Sequence, residues 1–301
     1  MIVRQNEIIS LLRQNMQELW SGAPELEGAN SEEEFIEVEP GISLRVLRWI
    51  PDSETAASNG PVVVVPGWGS VFEGWRPLIT EWVMRRPIVY IETREKKSAV
   101  ITKKVSKTDF EMSKHGTDVL AVLNHLGIDS NDVDWFSSSL GATLLIESYQ
   151  SGVLNGHSSV LLAPNPDFEF PLWARIVMSL PIPRFIHPAL MRFTIWLVDR
   201  RTKEEGQRIR YRRTLLAQDL NRMLLSARAN MRYSLPDDLS SVDLPCAVMT
   251  ASSDTLHDMS KVLDIVERIP GAVLIEVPSN QYAHEAEVLV EIEEFHSSIG
   301  N

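Results

Sequence analysis

Nine residues near the middle of the chain, DWFSSSLGA at 134–142, constrain the fold more than any other stretch. Residues 133–136 read as a short strand, and ATLLIESYQ, starting at Ala142, reads as a helix. The three serines with Leu140 and Gly141 must therefore turn the chain from one to the other within a few residues. So tight a turn needs small residues two positions before and two after its apex, because backbone there approaches backbone. Of the three serines only Ser139 has them, Ser137 before and Gly141 after. Ser138 at the apex would put Phe136 and Leu140 in those places, and Ser137 would put Trp135 and Ser139 there. The apex of such a turn presents its side chain outward, which makes Ser139 the candidate nucleophile. A serine-rich loop without chemistry is the plain alternative, and the rest of the chain has to decide between them.

The flanking sequence alternates between two periods. EFIEVEP and ISLRVLRWIP alternate as strands about a turn at Pro40 and Gly41, which predicts an antiparallel hairpin after an acidic loop around residues 25–34. PVVVVPGWGS reads as a strand buried on both faces that runs into a glycine-containing loop. Residues 75–84 are helical in pattern, PIVYIET is a strand, and residues 108–126 form a helix that leads through Gly127 into the serine turn. Beyond it SSVLLAP, CAVMT and AVLIEVPS read as strands, with KVLDIVERI and EAEVLVEIEEF as helices. This order predicts a mostly parallel, eight-stranded α/β sheet with the N-terminal hairpin antiparallel. Residues 164–238 interrupt it with aromatics, prolines and a charged helical part but no good strand. An all-helical insertion between two strands reads as a lid over the carboxyl edge of the sheet, where the sites of open α/β folds lie. The organisation expected is an N-terminal amphipathic helix and acidic linker over 1–31, an α/β core over 32–163 and 239–301, and a helical lid over 164–238.

A serine hydroxyl is a weak nucleophile until a base takes its proton, so Ser139 calls for a histidine and an acid elsewhere. Both occur at strand ends: Asp254 in TASSDTLHD after CAVM, and His284 in PSNQYAHEAE after AVLIEV. His257 and Asp258 lie close to Asp254, and Asp167, just beyond SSVLLAP, is the stronger rival acid; motif position favours Asp254. His115, His125, His157, His187 and His296 read as packed or surface residues. An oxyanion would need two amides. Leu140, opening a helix behind Ser139, offers one, and Trp68, between Gly67 and Gly69, offers the other.

From about residue 33 to residue 295 the chain resembles the α/β-hydrolase superfamily, and more particularly its lid-bearing, serine esterase- or lipase-like branch. The chain order serine, acid, histidine is the one found there. The resemblance implies Ser139 as nucleophile, Asp254 as acid, His284 as base, and the amides of Trp68 and Leu140 as oxyanion hole. It implies hydrolysis of a carboxylic ester or thioester through an acyl-enzyme on Ser139, with an apolar acyl or alcohol group. An acyltransferase using the same triad, and a non-catalytic ligand-binding protein that keeps the fold, are the alternatives. Serine at the turn counts against the halide- and epoxide-cleaving branches, which resemble it in fold but use aspartate. Two departures stand out: Pro66 where the superfamily usually has a histidine before the oxyanion glycine, and ETREKKSA where a glycine-rich loop often follows the fourth strand.

Composition narrows the partners. A net charge of −12 argues against binding nucleic acid, where affinity comes from neutralising phosphates. No clustered ligands and no phosphate-binding glycine loop occur, so no metal and no organic cofactor is expected. The single cysteine, Cys246, lies in LPCAVMT and reads as a buried thiol in a reducing compartment. Residues 1–20 are interrupted by charge and lack the apolar centre of a signal peptide, and no stretch is long enough to span a bilayer, which predicts a cytoplasmic protein. In the lid, Phe168, Phe170, Trp173, Phe185, Phe193 and Trp196 predict an apolar inner surface and a small-molecule apolar ester or thioester substrate. Arg200, Arg201, Lys203, Arg208, Arg210, Arg212 and Arg213 follow. The interspersed Glu204 and Glu205 favour a solvated helix there over a peripheral membrane contact.

Overall fold

The two alternating runs near the N-terminus pair as β1 (Ala29–Glu39) and β2 (Ile42–Pro51), an antiparallel hairpin closed at Gly41, whose φ of 80° needs glycine. The computed structural model describes residues 19–20, 22–170, 172–180, 182–202, 204–251 and 259–299, and within these not the side chains of Trp173, Val177 and Arg184. The helix expected at the N-terminus and the expected acid Asp254 lie outside the described residues. After the hairpin come β3 (Val62–Val65), α1 (Arg76–Trp82), β4 (Ile88–Ile91), the two-residue β5 (Val100–Ile101), α2 (Met112–Leu126), β6 (Asp134–Ser138), α3 (Leu140–Gln150) and β7 (Ser158–Leu162). Among the described residues four helices follow without a strand: α4 (Leu172–Ser179), α5 (His187–Arg201), α6 (Glu205–Ala217) and α7 (Leu220–Asn230). The chain then returns to β8 (Cys246–Ala251), α8 (Met259–Arg268), β9 (Val273–Val277) and α9 (Leu289–Ile299).

Eight strands form one continuous path in the order β1-β2-β4-β3-β6-β7-β8-β9, and β5 makes the sheet nine-stranded by pairing with β2. Every pair from β4 through β3 to β9 is parallel, and the hairpin joins through an antiparallel β2–β4 pair. β1 begins at Ala29, inside the stretch around residues 25–34 read as an acidic loop, because β2 supplies counter-charges to it. Arg48 pairs with Glu32 at 2.6 Å, Arg45 pairs with Glu33, and His125 of α2 meets Glu34 at 2.6 Å.

The pleat divides the core in two. Val63, Val65, Trp135, Leu161 and Val248 pack with α2, α3 and α8 on one face, and Val62, Val64, Phe136, Val160 and Met249 pack with α1 and α9 on the other. All four β3 valines are fully buried, each contributing about 1.5–3 kcal/mol. The helical segment leaves and re-enters the body at one place: Leu235 N–H donates to the Pro166 carbonyl at 2.7 Å, and Asp167 bridges Ser234. These two stems hang α4–α7 at the carboxyl ends of β3, β6 and β7, beside the serine turn.

Candidate active site

Ser139 lies between β6 and α3 with φ 48° and ψ −114°, a conformation that costs a non-glycine residue about 1–3 kcal/mol. The packing around it accounts for the small neighbours. A Cβ on Gly141 would stand 2.1 Å from the Val65 carbonyl oxygen at the end of β3, a position no side chain can occupy. Gly141→Ala is therefore expected to destabilise the protein by about 3 kcal/mol or more, read as a lowered urea midpoint. A change under about 0.5 kcal/mol, the size of a neutral surface substitution, would mean that the turn does not pack in this way. Ser137 is fully buried, as a residue on the inner side of the turn must be.

The loop after β3 is fastened to the turn and to the body behind it. Gly67 N–H donates to Ser138 Oγ at 2.9 Å, and Gly69 N–H donates to Glu95 Oε1 at 3.2 Å. Gln218 Nε2 donates to the Gly69 carbonyl at 2.6 Å. Of three successive amides, the outer two thus have acceptors, and that of Trp68 donates to none among the described residues. Leu140 opens α3, so its amide also has no acceptor within the helix. The Trp68 indole donates to Ser226 Oγ of α7 at 3.0 Å, which ties the loop to the helical insertion.

Behind this loop the ETREKKSA segment is buried except for Lys97. Glu92, Arg94, Glu95 and Lys96 are each at most 1% exposed. Each charge is matched by a partner: Arg45 for Glu92, Asp118 for Arg94, and Lys96 at 3.1 Å for Glu95. Burial acts to raise the Glu95 carboxyl, but Lys96, His115 and the Thr93 hydroxyl outweigh it and hold the group at about 2. Glu95 is therefore a permanent anion at neutral pH, and its acceptor for the Gly69 amide does not titrate away.

His284 closes a short 3-10 turn, Tyr282–His284, beyond β9. Its Nδ1 lies 2.8 Å from the Asn280 carbonyl, and its ring stacks on Trp75 with centroids 4.0 Å apart and planes at 24°. Trp75 is held in turn by donating its Nε1–H to Ser70 Oγ at 2.9 Å. One cavity of 270 Å³ is lined by Ser139, His284 and Trp68 together. The expected nucleophile, base and loop residue thus meet in one place. The rival acid Asp167 forms an ion pair with Lys261 at 2.6 Å, and Glu169 approaches the same ammonium at 2.9 Å.

Two features escaped the sequence reading. Asn165, three residues beyond β7, donates from Nδ2 to Ser139 Oγ at 3.2 Å. It is pinned to α3 by Thr143, whose hydroxyl donates to the Asn165 carbonyl and accepts from its amide, each at 2.9 Å. Nothing in PNPD marks this residue. The second concerns the insertion: none of Phe168, Phe170, Phe185, Phe193 and Trp196 lines the cavity, whose wall from that segment is Val198, Arg210, Tyr211, Arg213, Thr214, Leu215 and Met223. Phe168 packs on Tyr233 instead, and Phe185 is 83% exposed. The insertion thus lines the cavity with three aliphatic side chains, Tyr211, Thr214 and two arginines, and not with the aromatic residues from which an apolar inner surface was expected.

No family model matches the sequence, and no curated protein matches it significantly. Solved structures do match. A hydrolase from Pseudomonas aeruginosa PA01 superposes with a TM-score of 0.68 at 16% identity, covering 89% of this chain and 97% of that one. A thermophilic esterase from Thermogutta terrifontis gives 0.68 at 15%, covering 91% and 100%. An enol-lactonase from Burkholderia xenovorans LB400 gives 0.66 at 14%, covering 87% and 97%. At these identities the likeness is one of fold.

Proposed function

We propose that this chain, which has the α/β-hydrolase fold, is a serine hydrolase that cleaves a carboxylic ester or thioester through an acyl-enzyme on Ser139. The observation that carries the reading is the strained φ of 48° at Ser139 in the wall of the cavity that His284 also lines. Strain of this kind persists where the surroundings over-determine it, and here Gly141, Gly67 and Asn165 do so. Ser139 Oγ attacks the carbonyl carbon while His284 accepts its proton, and the Trp68 and Leu140 amides receive the negative charge on the carbonyl oxygen. His284 then gives the proton to the leaving alcohol or thiol. Water, deprotonated by the same imidazole, releases the acyl group. Asp254, between β8 and α8 in the sequence, is the proposed partner that keeps the imidazole in the required tautomer. Asn165 Nδ2–H keeps one Oγ lone pair engaged, which orients the hydroxyl before attack.

Trp68, Val71, Trp75, Leu162 and Val198 give the cavity hydrocarbon walls suited to an acyl chain. Hydrolysis of neutral p-nitrophenyl esters is expected to rise from acetate to a medium chain. Each added methylene is expected to raise kcat/KM about two- to fourfold, on the scale of about 0.8 kcal/mol per buried CH₂, until the cavity is full. Added salt should change these rates little. A clear preference for acetate would remove the apolar-pocket part of the reading and leave Ser139 untouched. Among the described residues no helix is long and apolar enough to cross a membrane.

A further inference from the structure

Although the cavity beside Ser139 is walled mainly by hydrocarbon, α6 brings two guanidinium groups into its lining, Arg210 and Arg213. A charge held against apolar surface is costly unless an opposite charge or good hydrogen bonds meet it. Arg210 donates to the side-chain oxygens of Asn280 and Gln281 in the segment that leads to His284. Arg213, three residues on and so on the same helix face, is half-buried and forms no ion pair or hydrogen bond with any other residue among those described.

The long-range field points the same way. Residues 172–217 carry ten arginines and lysines against three acids, a net of +7, in a chain whose net charge is −12, which leaves −19 on the remainder. A positive segment at the mouth of a site on a negative body draws anions to that mouth and away from the rest of the surface.

We propose that the substrate is an anionic amphiphile: an ester or thioester whose acyl chain is apolar and ends in a carboxylate, with the hydrocarbon along Trp75, Leu162 and Val198 and the carboxylate on Arg213. This rests on the hydrolase reading of Ser139 and names the class of acyl group that reading leaves open. The planar guanidinium suits a carboxylate bidentately, and Arg210, tied to Asn280 and Gln281, adds to the positive potential beside it. The bond changes are those of ester hydrolysis. Ser139 Oγ bonds to the acyl carbon, the alcohol or thiol leaves with the proton from His284, and water splits the acyl–Oγ bond to release a dicarboxylate.

The test compares two p-nitrophenyl esters of equal chain length, the neutral hexanoate and the hydrogen adipate, which carries a terminal carboxylate. At low salt the adipate is expected to be favoured in kcat/KM by about tenfold or more. Arg213→Gln should bring that ratio below one, since the carboxylate would then lose water without gaining a partner. Arg213→Lys, which keeps the charge without the fork, should retain part of the preference. Arg212→Gln, an exposed residue 3.6 Å from Asp199, should leave the ratio as it is. Raising salt from about 0.02 to about 0.5 M should shrink the ratio through the adipate alone. A wild-type preference for hexanoate, or a ratio that survives Arg213→Gln, overturns the proposal. Should neither ester be turned over, the hydrolase reading fails, and calorimetric titration with adipic acid monomethyl ester decides the anion site by itself. Binding that is lost in Arg213→Gln supports the site; no binding, or equal binding by both proteins, overturns it.

Discussion

Replacing Ser139 with alanine is expected to lower kcat about a millionfold, the scale found when a serine nucleophile is removed, and to abolish covalent labelling by a fluorophosphonate. The fold should survive. The hydroxyl accepts a hydrogen bond from Asn165 at 3.2 Å, and losing a bond of this kind costs about 1 kcal/mol. Alanine at φ 48° keeps the backbone strain that serine already bears. A urea midpoint close to that of the intact protein beside an unlabelled active site is the expected pairing. Ser137→Ala and Ser138→Ala should both still take the label. Ser138→Ala should label more slowly, because Ser138 Oγ is the acceptor that fastens Gly67, and with it the Trp68 amide, to the turn. Label on the Ser139→Ala protein would show that the turn has been misread.

The second large effect separates the two acids. An orienting carboxylate holds the imidazole in the tautomer that can accept the serine proton, and its replacement by the isosteric amide costs about ten-thousandfold in kcat in a serine triad. Asp254→Asn is expected to fall on that scale. Asp167→Asn is expected to stay within a few fold, since its carboxylate is already matched by Lys261 at 2.6 Å and is shared there with Glu169. Steady-state kinetics on a single p-nitrophenyl ester suffices to rank them. The reverse order would transfer the role of the acid from Asp254 to Asp167.

The turn at Ser139 was legible because the forces that shape it act over nine consecutive residues. A buried strand, a helix, and backbone packed against backbone at Gly141 leave only one register for the apex. The strand and helix order was legible for a related reason: periods of two and of three to four report directly which side of each element is apolar. His284 could be singled out because its loop follows a strand, and strand ends on one edge converge. The earlier start of β1 was missed because the glutamates at 32–34 look solvated until Arg45 and Arg48 of the next strand are set opposite them.

What the tertiary structure alone decided is the surroundings of that turn. Periodicity says that a side is covered, never by what. Asn165 reaches Ser139 across 26 positions, Glu95 reaches Gly69 across 26, and Gln218 reaches the same glycine across 149. No local pattern encodes those pairings. A charged run such as ETREKKSA reads as surface because an isolated charge belongs in water. It is buried here because Arg45 and Asp118, distant in the chain, arrive with the opposite sign. The helical insertion shows the same limit from the other side. Its aromatic composition promised hydrocarbon toward the site, but composition carries no direction, and the docking of α4–α7 on the body turned Val198, Arg210 and Arg213 inward and left Phe185 in solvent.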